Sequence, residues 1–284
     1  MKTAWFVLLV TGYLWMVQVG SAAVLVYESF DEAPSTELAG TAADIGLGAW
    51  QLVSGDAGSA TITSPGFTYP PMEVEGNKLT ISTGTALYAN LTDPFNVPVN
   101  SVGHIWGSFI METSNTSGDA ALSLFQVSNP TASTAALASV GLINAGDARL
   151  ISGREMEGNV GNNGLATADV PVTQRNLYVF KITIDTNAGA VESGRFWVNP
   201  TLTSGMKEAD LGTGWSANFN NTGLSGVAAI GLYTTGSNSA SFDEIRLGTT
   251  LDSVTGVPVI PEPGSMALLL FGFAGLRMLR RYKA

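Results

Sequence analysis

Cleaving a glycosidic bond needs two carboxyl groups at a set separation, one to protonate the leaving oxygen and one to attack or stabilise the sugar carbon. Glu73-Val74-Glu75 and Glu155-Met156-Glu157 are acidic pairs with a spacing of two. Each lies in a Gly-, Asn- or Pro-flanked stretch with no third carboxylate, and both read as solvated loop charge. His104 is the only histidine. A Ser-His-Asp arrangement would have to use it, yet no Gly-x-Ser-x-Gly elbow is present. Cysteine is absent, so disulfides, zinc–thiolate sites and thiol nucleophiles are excluded. Gly153 to Gly164 is rich in Gly and Asn but lacks the spacing and the following helix of a phosphate loop.

Sugar binding asks for aromatic rings beside polar groups. In Arg195-Phe196-Trp197-Val198-Asn199 the extended alternation puts Arg195, Trp197 and Asn199 on one face. Trp106 likewise shares a face with His104, Ser108 and Glu112. Trp106, Trp197, Arg195 and Asn199 are therefore the candidate glycan-binding residues, with core filling as the alternative for both tryptophans. Trp50 and Trp215 fall in stretches read as loops and are weaker candidates. Asp243 shares a face with Ile245 and Leu247 in strict alternation, which predicts an inner-face carboxylate. A buried carboxylate needs partners: turn amides, an arginine or a hydroxyl, or else a calcium ion shared with loop carbonyls. No other cofactor is expected.

The elements that position these residues are short runs rich in Val, Ile, Phe, Tyr and Trp, set between clusters of Gly, Asn, Ser and Asp. The sequence predicts strands over residues 24–30, 79–82, 86–91, 105–112, 121–127, 138–143, 149–152, 177–184, 195–198, 227–233 and 241–247. In 177–184, Tyr178, Phe180, Ile182 and Ile184 alternate with Leu177, Val179, Lys181 and Thr183, the pattern of a half-buried antiparallel strand. Residues 31–66, 113–119, 153–176 and 199–226 read as long loops. So many short strands, with no sustained helical period, predict an all-β fold: a two-sheet antiparallel β-sandwich over residues 24–250.

The ends differ from this body. Lys2 precedes an apolar stretch from Ala4 to Val17, and Gly20-Ser21-Ala22-Ala23 follows. That is the order of a secretory signal over residues 1–23, with cleavage expected after Ala22 or Ala23 by signal peptidase following passage through the Sec translocon. Residues 251–260 read as a spacer. Pro261-Glu262-Pro263 then sets a boundary that a helix cannot cross. Behind it lies an apolar run from Met266 to Leu276, then Arg277, Arg280, Arg281 and Lys283. A membrane helix over 265–282 is expected, with its basic end held on the cytoplasmic side.

Residues 24–260 carry 8 Lys/Arg against 22 Asp/Glu, a surplus of 14 carboxylates. That excludes general nucleic-acid binding, whose affinity comes from cations on phosphates, and speaks against adhesion to anionic lipid.

The box, apolar helix and basic tail of residues 261–284 resemble the PEP-CTERM sorting domain. The resemblance implies an exosortase as partner, transient residence in the inner membrane of a Gram-negative bacterium, and delivery to the cell surface or extracellular matrix. Phe242-Asp243-Glu244-Ile245-Arg246-Leu247-Gly248, preceded by Gly231-Leu232-Tyr233, resembles the closing strands of concanavalin A-like lectin/glucanase jelly rolls. Glu28-Ser29-Phe30-Asp31 and Phe196-Trp197-Val198-Asn199-Pro200 fit the same group. Glucanases of that fold place carboxylates as Glu-x-Asp-x-(x)-Glu on one strand, and this chain has no such run. The expected function is thus a non-catalytic surface or matrix protein that binds extracellular polysaccharide weakly. The alternatives are a divergent secreted glycoside hydrolase and a purely structural envelope protein.

Overall fold

The computed structural model describes residues 24–257 except 73, 75, 144–145, 157–162 and 220–223. Residues 1–23, read as an export signal, the Pro261-Glu262-Pro263 box with the apolar run and basic cluster behind it, and Glu73, Glu75 and Glu157 lie outside the described residues.

Fifteen strands are seen among the described residues: β1 (Val24–Glu28), β2 (Gln51–Ser54), β3 (Ala60–Thr63), β4 (Lys78–Ile81), β5 (Ala86–Asn96), β6 (Val102–Thr113), β7 (Ala120–Phe125), β8 (Ala138–Ile143), β9 (Asp147–Ser152), β10 (Asn163–Ala168), β11 (Asn176–Asp185), β12 (Ser193–Val198), β13 (Trp215–Asn218), β14 (Gly226–Thr234) and β15 (Ala240–Gly248). One sheet runs β13-β12-β11-β6-β15-β4-β3, with β1 also paired to β15; the other runs β10-β9-β8-β7-β14-β5-β2. Every strand pairing is antiparallel. The chain is therefore all-β, a sandwich of two antiparallel sheets, as its sequence predicts.

The inner faces carry the main core. Tyr178, Phe180, Ile182 and Ile184 of β11 point inward, opposite Val140 and Leu142 of β8 and Ile230 and Leu232 of β14, in one buried apolar cluster. Phe109 stacks on Tyr178 with ring centroids 4.9 Å apart, a contact worth about 0.5–1.5 kcal/mol beyond area burial.

All eleven runs predicted as strands are strands. Four strands fall in stretches the sequence presents as loops, namely β2, β3, β10 and β13, and these four end the two strand orders, β1 being a further strand with one neighbour. An edge strand has one neighbour and needs little apolar surface of its own, so its sequence carries a weak signal.

The β15 alternation is also broken. Its register with β6 shifts between Asp243 and Arg246, and Glu244 has φ 53°, in the left-handed region. This is a β-bulge, where one extra residue turns the strand over. Before it, Phe242 faces the core; after it, Ile245 and Leu247 do. Asp243 is thereby turned to the opposite side, correcting the inner-face expectation: the physical reason is the extra residue at Glu244.

A second apolar layer covers the outer face of the eight-stranded sheet. Trp106, Ile110, Leu177, Val179 and Trp197 from the strands pack with Phe67, Met72, Leu202, Met206, Leu211, Leu251 and Val254 from connecting segments. Strand β11 is thus buried on both faces along its first half. The short helix α1 (Asp252–Thr255) belongs to this layer: Ser108 donates its hydroxyl to the carbonyl of Val254, and Val254 is fully buried. The first seven residues of the stretch read as a spacer, 251–257, dock on this layer as a strap. Val254→Asp is expected to destabilise the chain by at least about 3 kcal/mol in urea denaturation, since it buries an unpaired charge. In a free spacer the same substitution would change nothing.

Candidate functional site

The outer row of β6 runs His104, Trp106, Ser108, Ile110 and Glu112, and β11 sets Lys181 beside Trp106 and Val179 beside Ser108. On its other side β11 meets β12, with Lys181 opposite Arg195 and Val179 opposite Trp197. This register brings Trp106, Trp197 and Arg195 together. The two indoles stack with centroids 5.8 Å apart and planes inclined by 15°. The Arg195 guanidinium lies 4.9 Å over Trp197, and the Lys181 ammonium 5.3 Å over Trp106. Lys181 and Arg195 are like charges directly opposite each other, a destabilising pair on its own. Glu208 reconciles them, at 2.8 Å from Lys181 and 3.5 Å from Arg195.

Both tryptophans are covered. Trp106 is 6% exposed and Trp197 1%. Leu202, Met206 and Leu211 from the segment after β12, with Leu251 and Val254 from the strap, close over them. This corrects the expectation of open stacking faces: the pair serves as core of the outer layer. Trp197 Nε1 has no hydrogen-bond partner among the described residues, a desolvation cost that the burial of the ring outweighs. Asn199, the fourth candidate, is exposed but occupied. Its φ is 51°, its Oδ1 accepts from Leu177 N–H at 2.8 Å and from the Tyr69 hydroxyl at 3.3 Å, and its Nδ2 donates to Asn176 Oδ1 at 2.7 Å. His104 is at the rim, its Nδ1 3.1 Å from Thr183 Oγ1, and burial together with Lys181 lowers its pKa. Trp50 is fully buried and donates Nε1–H to Glu28 at 2.9 Å, whereas Trp215 lies in β13 against Phe196.

Three carboxyl groups are buried near the bulge, those of Asp243, Glu28 and Glu244. Asp243 accepts N–H bonds from Phe67 at 2.6 Å and Glu244 at 2.8 Å. The backbone can come this close only because residue 66 is glycine: a Cβ there would lie 2.9 Å from Gly76 O and 3.0 Å from Asp243 Oδ2. Glu28 accepts from Trp50 and from Phe30 N–H at 3.1 Å. Burial pushes both acids up to about 8, outweighing the N–H donors, which favour the charged form. Glu244, also buried, accepts from Arg246 at 2.6 Å and from the Tyr27 hydroxyl at 3.3 Å.

For a metal, Asp243 offers two oxygens that already hold N–H donors. Among the described residues no group of three or more His, Asp or Glu is placed to hold an ion. The outer face of the seven-stranded sheet presents Ala121 and Phe125 of β7, Ile143 of β8, Ile151 of β9 and Tyr233 of β14, with Met156 packed on them. Two hydroxyls, Ser123 and Ser139, lie 2.7 Å apart there, and an Asp119–Arg154 ion pair is buried. Among the described strands none carries two carboxylates at alternate positions.

Sequence reasoning missed Phe67, Tyr69, Lys78 and Arg175, which gather at the rim of the outer layer. The available signal was arithmetic: with 22 carboxylates for 8 cations in residues 24–260, any cation left unpaired stands out.

No family model matches the chain, and no curated protein matches its sequence. Its shape has counterparts among solved structures. The globular domain of T. cruzi calreticulin aligns at 13% identity with a TM-score of 0.48, covering 81% of this chain and 89% of that one. A family 16 glycosyl hydrolase from Mycobacterium smegmatis aligns at 11% identity and TM-score 0.42, covering 79% and 100%. A legume lectin-like domain from Entamoeba histolytica gives 9% and 0.39, covering 62% and 86%. Each is a likeness in outline.

Trp197→Ala is expected to cost about 3–5 kcal/mol in thermal or urea unfolding, the range for truncating a core tryptophan. An exposed stacking residue would leave stability nearly unchanged. The buried acids set a pH dependence. A carboxyl whose pKa is raised on folding stabilises fully below its unfolded value near 4 and loses that contribution as pH rises through about 8. Stability in urea is therefore expected to fall as pH rises between those limits. Asp243→Asn should flatten the curve while lowering its plateau, because an amide nitrogen would then face one of the two N–H donors.

Proposed function

We propose that this chain is an exported, non-catalytic surface or matrix protein that binds glycans weakly and is sorted through its Pro261-Glu262-Pro263 box. The observation that carries the reading is the order of its segments. An apolar stretch ending in small residues runs straight into β1, and the box, apolar run and basic cluster follow within a few residues of the docked strap. A protein sorted in this way passes out of the cell through the translocon, is processed by an exosortase at the inner membrane, and reaches the surface or matrix. The body suits that destination: it holds no cysteine, and its acid surplus keeps it soluble. With Trp106 and Trp197 covered, the polar and aromatic groups left for a glycan stand at the rim of the sandwich.

Glu262 supplies one fixed negative charge in a segment with no other charge between Asp252 and Arg277. The two prolines keep it extended beside the bilayer, where a membrane enzyme can grip it. Glu262→Ala is expected to leave membrane insertion intact and to block processing, so that uncut precursor accumulates in the inner membrane of a host with an exosortase. Fractionation and immunoblotting read this directly. Wild-type processing of the variant would reduce the box to a helix boundary.

A further inference from the structure

Of the eight cations in residues 24–260, five are ion-paired: Arg149, Arg154, Lys181, Arg195 and Arg246. Among the described residues Lys78, Arg175 and Lys207 have no such partner. Two of these three converge on one aromatic ring: Lys78 Nζ is 4.7 Å and Arg175 Cζ 4.5 Å from the centroid of Phe67. Phe67 is itself buried, so the ring is a fixed seat for both cations, and the nearest carboxyl acting on Lys78 is Asp243 beneath it.

The seat is built from the bulge outward. Asp243 holds Phe67 N–H, which fixes the ring between Lys78 of β4 and Arg175, the residue just before β11. Burial holds Asp243 toward its neutral form and so limits the negative charge beneath the pair. Arg175 is exposed, and its Nη1–H donates to Thr68 O at 3.4 Å. Next along the loop, half-buried Tyr69 presents a ring and donates its hydroxyl to exposed Asn199 at 3.3 Å. One rim thus carries a guanidinium, an ammonium, an aromatic ring and an amide.

We propose that Arg175, Lys78, Tyr69 and Asn199 form the contact surface for an anionic polysaccharide. Arg175 and Lys78 take carboxylate or sulfate groups on the chain, Tyr69 packs against a sugar face, and Asn199 holds the Tyr69 hydroxyl in place and offers its second Nδ2–H to a sugar hydroxyl. Two cations in an acidic body suit a polymer with one charge per sugar or fewer. A nucleic acid or an anionic membrane presents charge too densely for the surrounding carboxylates to tolerate. This inference rests on the glycan-binding reading above and names its ligand class.

The test uses the full chain in neutral detergent, titrated with polygalacturonate, a dextran sulfate of low substitution (at most about one sulfate per sugar) and dextran. Binding is expected to one or both polyanions and not to dextran; which polyanion wins tells carboxylate from sulfate. It should weaken severalfold between about 0.05 M and about 0.5 M salt, because exposed charges are screened. Lys78→Gln with Arg175→Gln should cost about tenfold or more in affinity, about 1.4 kcal/mol. Lys78→Arg with Arg175→Lys, which keeps both charges on the ring, should retain binding within about threefold. Arg149→Gln, on the other sheet, should change nothing. If the double Gln protein does not fold, the salt dependence and the charge-keeping variant decide. Dextran bound as well as the polyanions, or polyanion binding indifferent to the Gln substitutions, overturns the rim assignment while glycan binding stands. No binding to any of the three polymers overturns both.

Discussion

The bulge at Asp243–Glu244 is the constraint on which the eight-stranded sheet and its outer layer depend. Strand β15 lies in the middle of that sheet, paired to β6 along one side. Along its other side it changes partner at the bulge, pairing with β4 through Ala240–Phe242 and with β1 from Ile245 onward. A regular strand would hold one neighbour along one edge. The extra residue re-aims the chain so that two short strands share the edge in sequence. It also turns Asp243 outward, where its carboxyl seizes Phe67 N–H and anchors the loop that seeds the outer layer. The first and last strands of the domain thus meet at one irregular residue, and the fold closes only when β15 is in place.

That arrangement stores two carboxyl groups in low dielectric on neighbouring strands, since Glu28 is paired with Ile245 just past the bulge. Each acid is given two N–H donors, which is the usual way to make a buried carboxylate tolerable. Burial still wins, and both groups lean toward the neutral form near neutral pH. Glu244 between them is handled differently, by Arg246 and Tyr27, with the Arg246 guanidinium 4.6 Å over the Tyr27 ring. Hydrogen bonds thus hold two of the acids, and an ion pair with a tyrosine hydroxyl holds the third.

What was legible in the sequence divides along the same lines. Central strands such as β6, β11 and β14 pack on both faces, and their apolar runs announce them. The edge strands β2, β3, β10 and β13 take their conformation from a single neighbour and blend into Gly- and Ser-rich surroundings. Strict alternation correctly joined Trp106 to His104 and Ser108, and Arg195 to Trp197, because β6 and β12 are regular at those positions. It failed at Asp243, where one left-handed residue resets the period, and no residue type there signals it: Glu is an uncommon occupant of that conformation. Nor could periodicity say whether an outward tryptophan meets water or a covering loop. That depends on Leu202, Met206, Leu211 and Val254, apolar residues scattered through stretches whose composition is otherwise that of a connection.

The covering layer also decides where binding chemistry can reside. A sandwich with open sheet faces can bind across its strands. Here the outer face of the eight-stranded sheet is sealed by loops and by the strap, and Ala121, Phe125, Met156 and Tyr233 fill much of the other. Exposed polar groups with fixed geometry are then left at the rims, where a covering segment is pinned to a strand end. The rim around Phe67 is pinned from below by Asp243 and at its side by Asn199, whose amide ties the Tyr69 hydroxyl to the start of β11. A loop so fastened has little rotamer freedom left to lose on meeting a ligand, and a weakly interacting surface gains most from that saving. The packing that removed Trp106 and Trp197 from solvent is therefore the same packing that holds Lys78, Tyr69, Arg175 and Asn199 in register at its margin.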